Sequence, residues 1–224
     1  MSPILLIDKP AGMTSHDVVD RVRRILHTRR VGHAGTLDPF ATGLLIIGVN
    51  EGTKQLAHFL HLDKTYEVTA FLGATTNTFD VEGTITPFSG QIIAPSRIEI
   101  ERALDTFRGG YIQFAPLFSA KKLQGKKLYE LARAGITDES LRPSKEVKID
   151  QLEVLTYEFP HLCLRVRCSS GTYIRSLVDD LGRALGIGAY AKQLRRTAIG
   201  EHVIEEAVTL EALATNTTDA TLST

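Results

Sequence analysis

A twelve-residue segment rich in breaker residues, GHAGTLDPFATG at positions 32–43, constrains the fold of this chain most. Its three glycines and one proline predict an irregular loop between two regular elements. Pro39 directly follows Asp38, and a residue before proline is biased toward extended backbone. The loop therefore presents one carboxylate on a restrained backbone. From these residues alone, acid–base or nucleophilic chemistry by Asp38 and a plain Asx-type turn both remain open.

Apolar periodicity elsewhere predicts a mixture of strands and helices. Period-two or continuous apolar runs predict strands at residues 4–7, 44–49, 64–72, 146–157 and 162–168. Helical spacing predicts helices at residues 15–26, 97–107, 128–134 and 172–185, and a short helical turn at 189–194. The two kinds of element do not alternate strictly, so an α+β fold is favoured over a doubly wound sheet.

Composition fits one folded domain. The 224 residues are 43% hydrophobic and 23% charged, which argues against a disordered chain. No apolar run approaches the roughly 20 residues of a membrane span, and no secretory signal is evident. Cys163 and Cys168 have an odd spacing on a predicted strand, so neither a mutual disulfide nor a zinc site is expected. We therefore expect a cytoplasmic protein with one domain at residues 1–213 and a disordered, threonine-rich tail at 214–224.

Charge is unevenly distributed although the formal net charge is zero. Residues 201–224 contain five acidic residues and no lysine or arginine, whereas residues 161–200 contain seven bases and two acids. Residues 121–127, KKLQGKK, contain four lysines. Such clusters are typical either of solvated surface or of phosphate contacts. The segment GVNEGTK at 48–54 lacks P-loop spacing, and no cluster of ligand residues has metal-site spacing.

Several motifs in a fixed order carry a resemblance. GHAGTLDPFATGLL resembles the catalytic motif of the TruB family of pseudouridine synthases. Four further segments resemble that family's motifs in register, and together the matches cover residues 4 to about 213. They are DKPAGMTS at 8–15, KTY at 64–66, SGTYIRSL at 170–177 with DLG at 180–182, and LRRT at 194–197. The segment from Phe118 to Arg133 is similar to the part that follows the catalytic half.

The resemblance implies an α+β pseudouridine synthase fold, with a mixed, largely antiparallel sheet flanked by helices and an active-site cleft across the sheet. It implies isomerisation of uridine 55 in the tRNA T-loop to pseudouridine, by base flipping, without a metal or an organic cofactor. The expected partner is the T-arm stem-loop of tRNA, and the expected state is a monomer. Two rival hypotheses remain: an RNA-binding or tRNA-chaperone protein, and a pseudouridine synthase that acts on another RNA.

The resemblance also assigns site residues. Asp38 matches the catalytic aspartate, Tyr66 the aromatic residue that stacks on the flipped base, and Arg175 the arginine paired with the catalytic carboxylate. His33 matches the histidine that fills the space near the vacated stack, and Lys9 a basic residue beside the active site. The remaining substrate-binding residues that it implies are Gly35, Thr36, Leu37, Tyr173, Leu194, Arg195 and Arg196.

Each of these residues also has a structural alternative when the sequence is considered alone. Arg175 has Asp179 at i+4 as a surface partner, Tyr66 fits a strand core, and His33 fits a loop cap.

A mobile, RNA-clamping insertion around residues 118–145 is also implied, with Lys121, Lys122, Lys126 and Lys127 contacting phosphates. This chain departs from the family pattern at Asn77, Ala115, Phe118, Lys121 and His202. Many members carry a small C-terminal RNA-binding domain of the PUA type, and this chain stops before one. Recognition of tRNA is therefore expected to rest on the catalytic domain.

Overall fold

The computed structural model describes residues 3–119, 122–123, 126–128 and 142–222. The strands are β1 Ile4–Lys9, β2 Val31–Ala34, β3 Thr42–Val49, β4 Lys64–Leu72, β5 Ala74–Thr76, β6 Ile85–Pro87, β7 Gly109–Phe114, β8 Lys122–Leu123, β9 Lys126–Lys127, β10 Ser144–Glu158, β11 His161–Cys168, β12 Ala189–Ile199 and β13 His202–Val203. The helices in those ranges are α1 Ser15–Ile25, α2 Leu56–Leu60, α3 Arg97–Asp105, α4 Ile174–Ala184 and α5 Leu210–Leu222, with 3-10 turns at Asn50–Gln55 and Ile204–Glu206.

The chain forms two compact units, Met1–Glu67 with Leu194–Thr224, and Val68–Gln193. In the first unit the strand order is β1-β3-β12-β4. Strands β1 and β2 run antiparallel to β3, whereas β12 runs parallel to it, with Arg195 opposite Thr42 and Arg196 opposite Gly43. This unit therefore contains the mixed part of the sheet.

Strand β3 is buried on both faces. Successive side chains of a strand point in opposite directions, and the two sets pack into different hydrophobic clusters. Leu45 and Ile47 join the cluster formed with Val18 and Val22 of α1, whereas Leu44 and Ile46 pack with Phe59 of α2. Helix α1 begins where the sequence predicts it. Thr14 accepts a hydrogen bond from the Asp17 amide, and the Asp17 carboxylate accepts one from the Thr14 amide. This reciprocal capping satisfies two otherwise unpaired backbone donors.

In the second unit the strand order is β12-β4-β11-β10-β7, and β10 runs antiparallel to both of its neighbours. Alternate residues of β4 are buried, as the sequence predicts. Helix α4 carries a buried stripe that includes Leu177, Val178 and Leu181, and it packs near α3 and β7. The predicted α+β class with a mixed, largely antiparallel sheet is therefore confirmed.

Two local predictions need correction, and a third cannot be compared with the structure. Residues 189–194 are not helical but begin strand β12, because pairing along a long strand outweighs the weak helical preference of six residues. The irregular loop is shorter than predicted, since β2 continues to Ala34 and β3 begins at Thr42. The helix predicted at 128–134 lies outside the described residues except for Leu128.

Helix α5 occupies most of the segment predicted to be a disordered tail, because it runs to Leu222. Leu210 and Leu213 are buried at its start, and the Thr209 hydroxyl accepts a hydrogen bond from the Ala212 amide. Thr215 donates to the Glu211 carbonyl one turn back, which accommodates a threonine within a helix. No helix in the described part of the chain is long and apolar enough to cross a membrane.

Candidate active site

The loop between β2 and β3, residues 35–41, carries Asp38 and is called the Asp38 loop here. The segment that follows β1 is hydrogen-bonded to it. The Ser15 hydroxyl, which is buried, accepts a hydrogen bond from the Leu37 amide at 2.9 Å and lies 3.2 Å from the Leu37 carbonyl, to which it donates. The Gly12 amide donates to the Pro39 carbonyl at 2.9 Å, and the Ala41 amide closes a turn on the Asp38 carbonyl at 3.1 Å. The residues on both sides of Asp38 are thus fixed, and its side chain is half-buried.

Lys9 stabilises the same loop from the interior. It is fully buried, and its Nζ donates to the carbonyls of Pro10, Met13 and Pro39 at 2.8, 2.6 and 3.2 Å. A buried ammonium group is costly unless hydrogen bonds replace its hydration. Here the three carbonyls provide that replacement, and one of them belongs to the residue after Asp38.

The start of β4 lies beside the start of the loop. Lys64 is buried, and its Nζ donates to the carbonyls of Phe59, Leu60 and Leu62 at 3.2, 2.7 and 2.6 Å, at the end of α2. A Cβ added to Gly35 would lie 4.0 Å from Lys64 Cε. Tyr66, two residues further along β4, is 9% exposed on the same face of the strand.

Two consecutive arginines of β12 point in opposite directions. Arg195 forms a bidentate pair with Asp8, at 3.1 and 2.7 Å, and its side chain is 40% exposed. Arg196 is 1% exposed, and it donates through Nε to the Leu44 carbonyl at 2.7 Å and through Nη2 to the Gly35 carbonyl at 2.9 Å. The buried Arg196 guanidinium faces the protein main chain. The contact with RNA that the resemblance implies for Arg196 remains a prediction.

The Nδ1 atom of the His33 imidazole is buried. Within the described chain, its Nδ1 has no hydrogen-bond partner. Burial lowers the pKa of His33 below its usual value, and the positive charges of Arg196 and His16 lower it further. The imidazole is therefore held in its neutral form near pH 7.

The second unit holds Arg175 in a buried charge pair. Arg175 Nη1 lies 3.0 Å from Asp80 Oδ2, and both side chains are 4% exposed. The guanidinium also donates to the carbonyls of Thr78 and Phe118 at 2.7 and 3.1 Å. Asp80 Oδ1 in turn accepts from the Thr78 hydroxyl and the Glu82 amide. Arg175 is thus oriented by a rigid, charge-assisted network.

Tyr173 is held through its main chain at the start of α4. The Gln113 side chain accepts from the Tyr173 amide at 2.8 Å and donates to the Tyr173 carbonyl at 3.0 Å. Gln113 also contacts the Tyr111 hydroxyl, which lies 3.4 Å from Asp180 Oδ2. Burial, with a smaller contribution from the charge of Asp179, raises the pKa of Asp180 to about 6.

The other predicted site residues are placed as follows. Thr36 is exposed, whereas Leu37 and Leu194 are buried in the first unit. Lys122, Lys126 and Lys127 form the main chain of the small β8–β9 pair, and Lys121 lies outside the described residues. No disulfide links Cys163 and Cys168. The described residues contain no group of three or more histidine, cysteine or acidic side chains that suits a metal ion.

Sequence reasoning did not identify two of the residues that organise these networks. Thr14 caps α1, whereas the next residue, Ser15, is hydrogen-bonded to Leu37 in the Asp38 loop. Asp80 carried no signal of its own in the TTNTFD turn, because its partner Arg175 lies 95 positions away in the printed sequence.

Family comparison defines the class of protein to which these networks belong. Residues 23–174 match the model of the TruB family pseudouridylate synthase N-terminal domain, and residues 175–223 match the model of the tRNA pseudouridylate synthase B C-terminal domain. The chain belongs to the TruB family of pseudouridine synthases.

Individual relatives agree with this assignment. The chain is 48% identical to the tRNA pseudouridine synthase B of Azoarcus sp. (strain BH72) over 210 residues, which cover 94% of this chain and 69% of that protein. It is 43% identical to the protein of the same name from Syntrophobacter fumaroxidans over 218 residues, or 97% of this chain and 70% of that protein.

Solved structures confirm the pseudouridine synthase fold. A chain in the crystal structure of a Cbf5-Nop10-Gar1 complex matches with a TM-score of 0.72 and 31% identity, over 95% of this chain and 53% of that one. A chain in the structure of an H/ACA RNP bound to a substrate RNA containing 2'-deoxyuridine matches with a TM-score of 0.68 and 28% identity, over 95% and 52%. This chain therefore spans about half the length of those structural relatives.

Proposed function

We propose that this chain isomerises a uridine of tRNA, at position 55 in the T-loop, to pseudouridine. The observation that carries the proposal is the Asp38 loop, whose main chain is hydrogen-bonded on both sides of the aspartate by Ser15, Lys9 and Gly12. A carboxylate held in this way is pre-organised for attack or proton abstraction at one defined point of a substrate. The relatives named tRNA pseudouridine synthase B supply the substrate class.

The reaction rearranges bonds within one nucleotide. The bond between ribose C1′ and uracil N1 breaks, the uracil turns, and a bond forms between C1′ and C5. The proton on C5 is lost to a base or to water, and N1 gains a proton, so the product is an isomer. Asp38 is assigned either the attack on the ribose or the abstraction of a ribose proton.

Tyr66 and Arg175 are assigned supporting roles. A T-loop uridine must leave its stack before the reaction, and stacking on an aromatic ring offsets part of that cost. Tyr66 is proposed to provide the ring, and Arg175 to pair with the carboxylate of Asp38. The neutral form of His33 suits a group that fills the space near the vacated stack without adding charge.

RNA binding is proposed to follow from the basic residues. Lys121, Lys122, Lys126 and Lys127, in an insertion around residues 118–145, are proposed to contact T-arm phosphates, a contribution that weakens with salt and is blind to sequence. Residues 1–213 are proposed to act as one catalytic domain. The enzyme is proposed to be a cytoplasmic monomer that needs neither metal nor organic cofactor.

Tritium release from a tRNA transcript labelled at uridine C5 tests the proposal directly. We expect release by the parent protein, a fall of at least about 1,000-fold in Asp38→Asn, and no release at that site from a transcript with cytidine at position 55. Asp20→Asn is the matched control, because Asp20 is an exposed partner of Arg23 at the surface of α1. It should retain the parent rate.

Two other results would contradict the proposal in different ways. Tight binding of the transcript without release would favour an RNA-binding or chaperone role. Release from a mixed RNA pool but not from the tRNA transcript would instead favour a pseudouridine synthase with another RNA substrate.

A further inference from the structure

We infer that Arg196 is a positioning residue that closes the two ends of the Asp38 loop with one guanidinium. The inference rests on the proposed function, because it concerns the placement of the proposed catalytic carboxylate. Arg196 Nη2 binds the Gly35 carbonyl where the loop leaves β2, and Nε binds the Leu44 carbonyl where the chain has entered β3. The loop thus starts and ends on the same side chain.

The burial of Arg196 is the first argument. Arginine is rarely buried completely unless its donors are satisfied, because loss of hydration is costly for a charged group. Arg196 is 1% exposed, and within the described residues it forms no ion pair that would by itself account for this burial. Its compensation comes from two main-chain carbonyls, one at Gly35, where the loop begins, and one at Leu44, in β3 shortly after the loop ends.

Gly43, the second residue of β3, is the second argument. Gly43 has φ of +104°, and a Cβ added there would lie 2.3 Å from the Arg196 carbonyl oxygen and 2.7 Å from its amide nitrogen. Only glycine therefore allows β12 to approach this closely. The close approach brings the root of the Arg196 side chain against one end of the loop, so that its tip reaches the other end.

The exposure of the neighbouring residue, Arg195, is the third argument. Arg195 is 40% exposed and pairs with Asp8 on the opposite face of β12. A phosphate contact requires a donor that reaches solvent, and the Arg196 donors instead face Gly35 and Leu44. The two arginines therefore have separate functions, although they are adjacent in the sequence.

Single-turnover kinetics on Arg196→Lys test the inference. Lysine keeps the positive charge but cannot bridge two carbonyls with a planar fork. We expect the rate of tritium release at saturating enzyme to fall about 100-fold, as for a small misplacement of a catalytic group. The dissociation constant for the transcript should stay within about twofold, and the salt dependence of binding should not change.

A double-mutant cycle with Ser15→Ala adds a second readout. Ser15 holds Leu37 within the same loop and is far less disruptive to replace than a buried arginine. If both residues act by positioning Asp38, the rate loss in the double variant is smaller than the product of the two single losses. If Arg196→Lys does not fold, Gly35→Ala takes its place in the cycle. Gly35 has a positive φ, so alanine strains the backbone whose carbonyl accepts a hydrogen bond from Arg196.

Distinct outcomes separate the possible failures. A rate that stays unchanged in Arg196→Lys while binding weakens would overturn the inference and make Arg196 an RNA contact. Fully multiplicative losses in the cycle would also overturn it. If Asp38→Asn keeps the parent rate, the catalytic role of Asp38 fails instead, and if the parent protein releases no tritium from the transcript, the proposed function fails, whatever the Arg196 variants do.

Discussion

Asp80→Asn should lower the free energy of unfolding by about 3 kcal/mol, because it removes the charge that faces buried Arg175. Removing one partner of a buried ion pair typically costs 3–5 kcal/mol. Here both side chains are 4% exposed, and Arg175 Nη1 lies 3.0 Å from Asp80 Oδ2. Asparagine can keep the acceptor for Thr78 and Glu82 at one atom, which favours the lower end of the range. Its amide would then turn two donors toward the guanidinium.

Urea unfolding followed by circular dichroism measures the effect, with the slope checked for each variant. Asp105→Asn is the matched control, since the same chemical change at an exposed partner of Arg108 should cost less than about 0.5 kcal/mol. Equal stabilities of the two variants would refute the reasoning. It would mean that the Arg175–Asp80 pair contributes no more than a surface pair.

Three further predictions concern single side chains. The raised pKa of Asp180, about 6 against an ordinary 3.8, means that the folded state holds this proton more tightly, so the contribution of Asp180 to stability falls as pH rises from about 4 to about 6. Asp180→Asn should flatten that profile in thermal melts and add about 1–2 kcal/mol at pH 8, after allowance for partial exposure; an unchanged profile would contradict this. Lys64→Met should cost about 2–4 kcal/mol in urea unfolding, because three carbonyls at the end of α2, one of them in a fully buried hydrogen bond, lose their donor. A loss below about 1 kcal/mol would argue against such a role. Gly43→Ala should cost about 3 kcal/mol or more by the same assay, since the added Cβ meets the Arg196 main chain, and a parent-like midpoint would show that β12 shifts without cost.

Local patterns predicted the parts of the fold that depend on local rules. Alternation located β4, β10 and β11, and an apolar stripe located α4, because a buried face imposes its period on the sequence. Residues 189–194 were assigned wrongly since their conformation depends on the strands beside them. A short segment with mixed signals carries no information about neighbours that are distant in sequence.

The buried cations show the same limit at the candidate site. Lysine and arginine are usually exposed. The resemblance implies an RNA contact for Arg196 and a place beside the active site for Lys9, and Lys64 enters only as part of the KTY motif. In the structure they are buried and bind main-chain carbonyls. Carbonyls are present at every residue, so no sequence pattern marks the ones that a lysine or an arginine will bind. The family motifs drew attention to these positions without indicating what the side chains contact.

The first unit is assembled from two segments that lie far apart in the sequence, and this has a consequence for its synthesis. Gly35 and its partner Arg196 are separated by 161 positions. At about 5–20 residues per second, a ribosome needs roughly 8–30 s to add that stretch. Throughout that time the Asp38 loop has emerged without the guanidinium that joins its ends. The nascent chain therefore passes through a long period in which it carries the aspartate but not the closed loop, and catalytic competence cannot arrive before Arg196 has been synthesised.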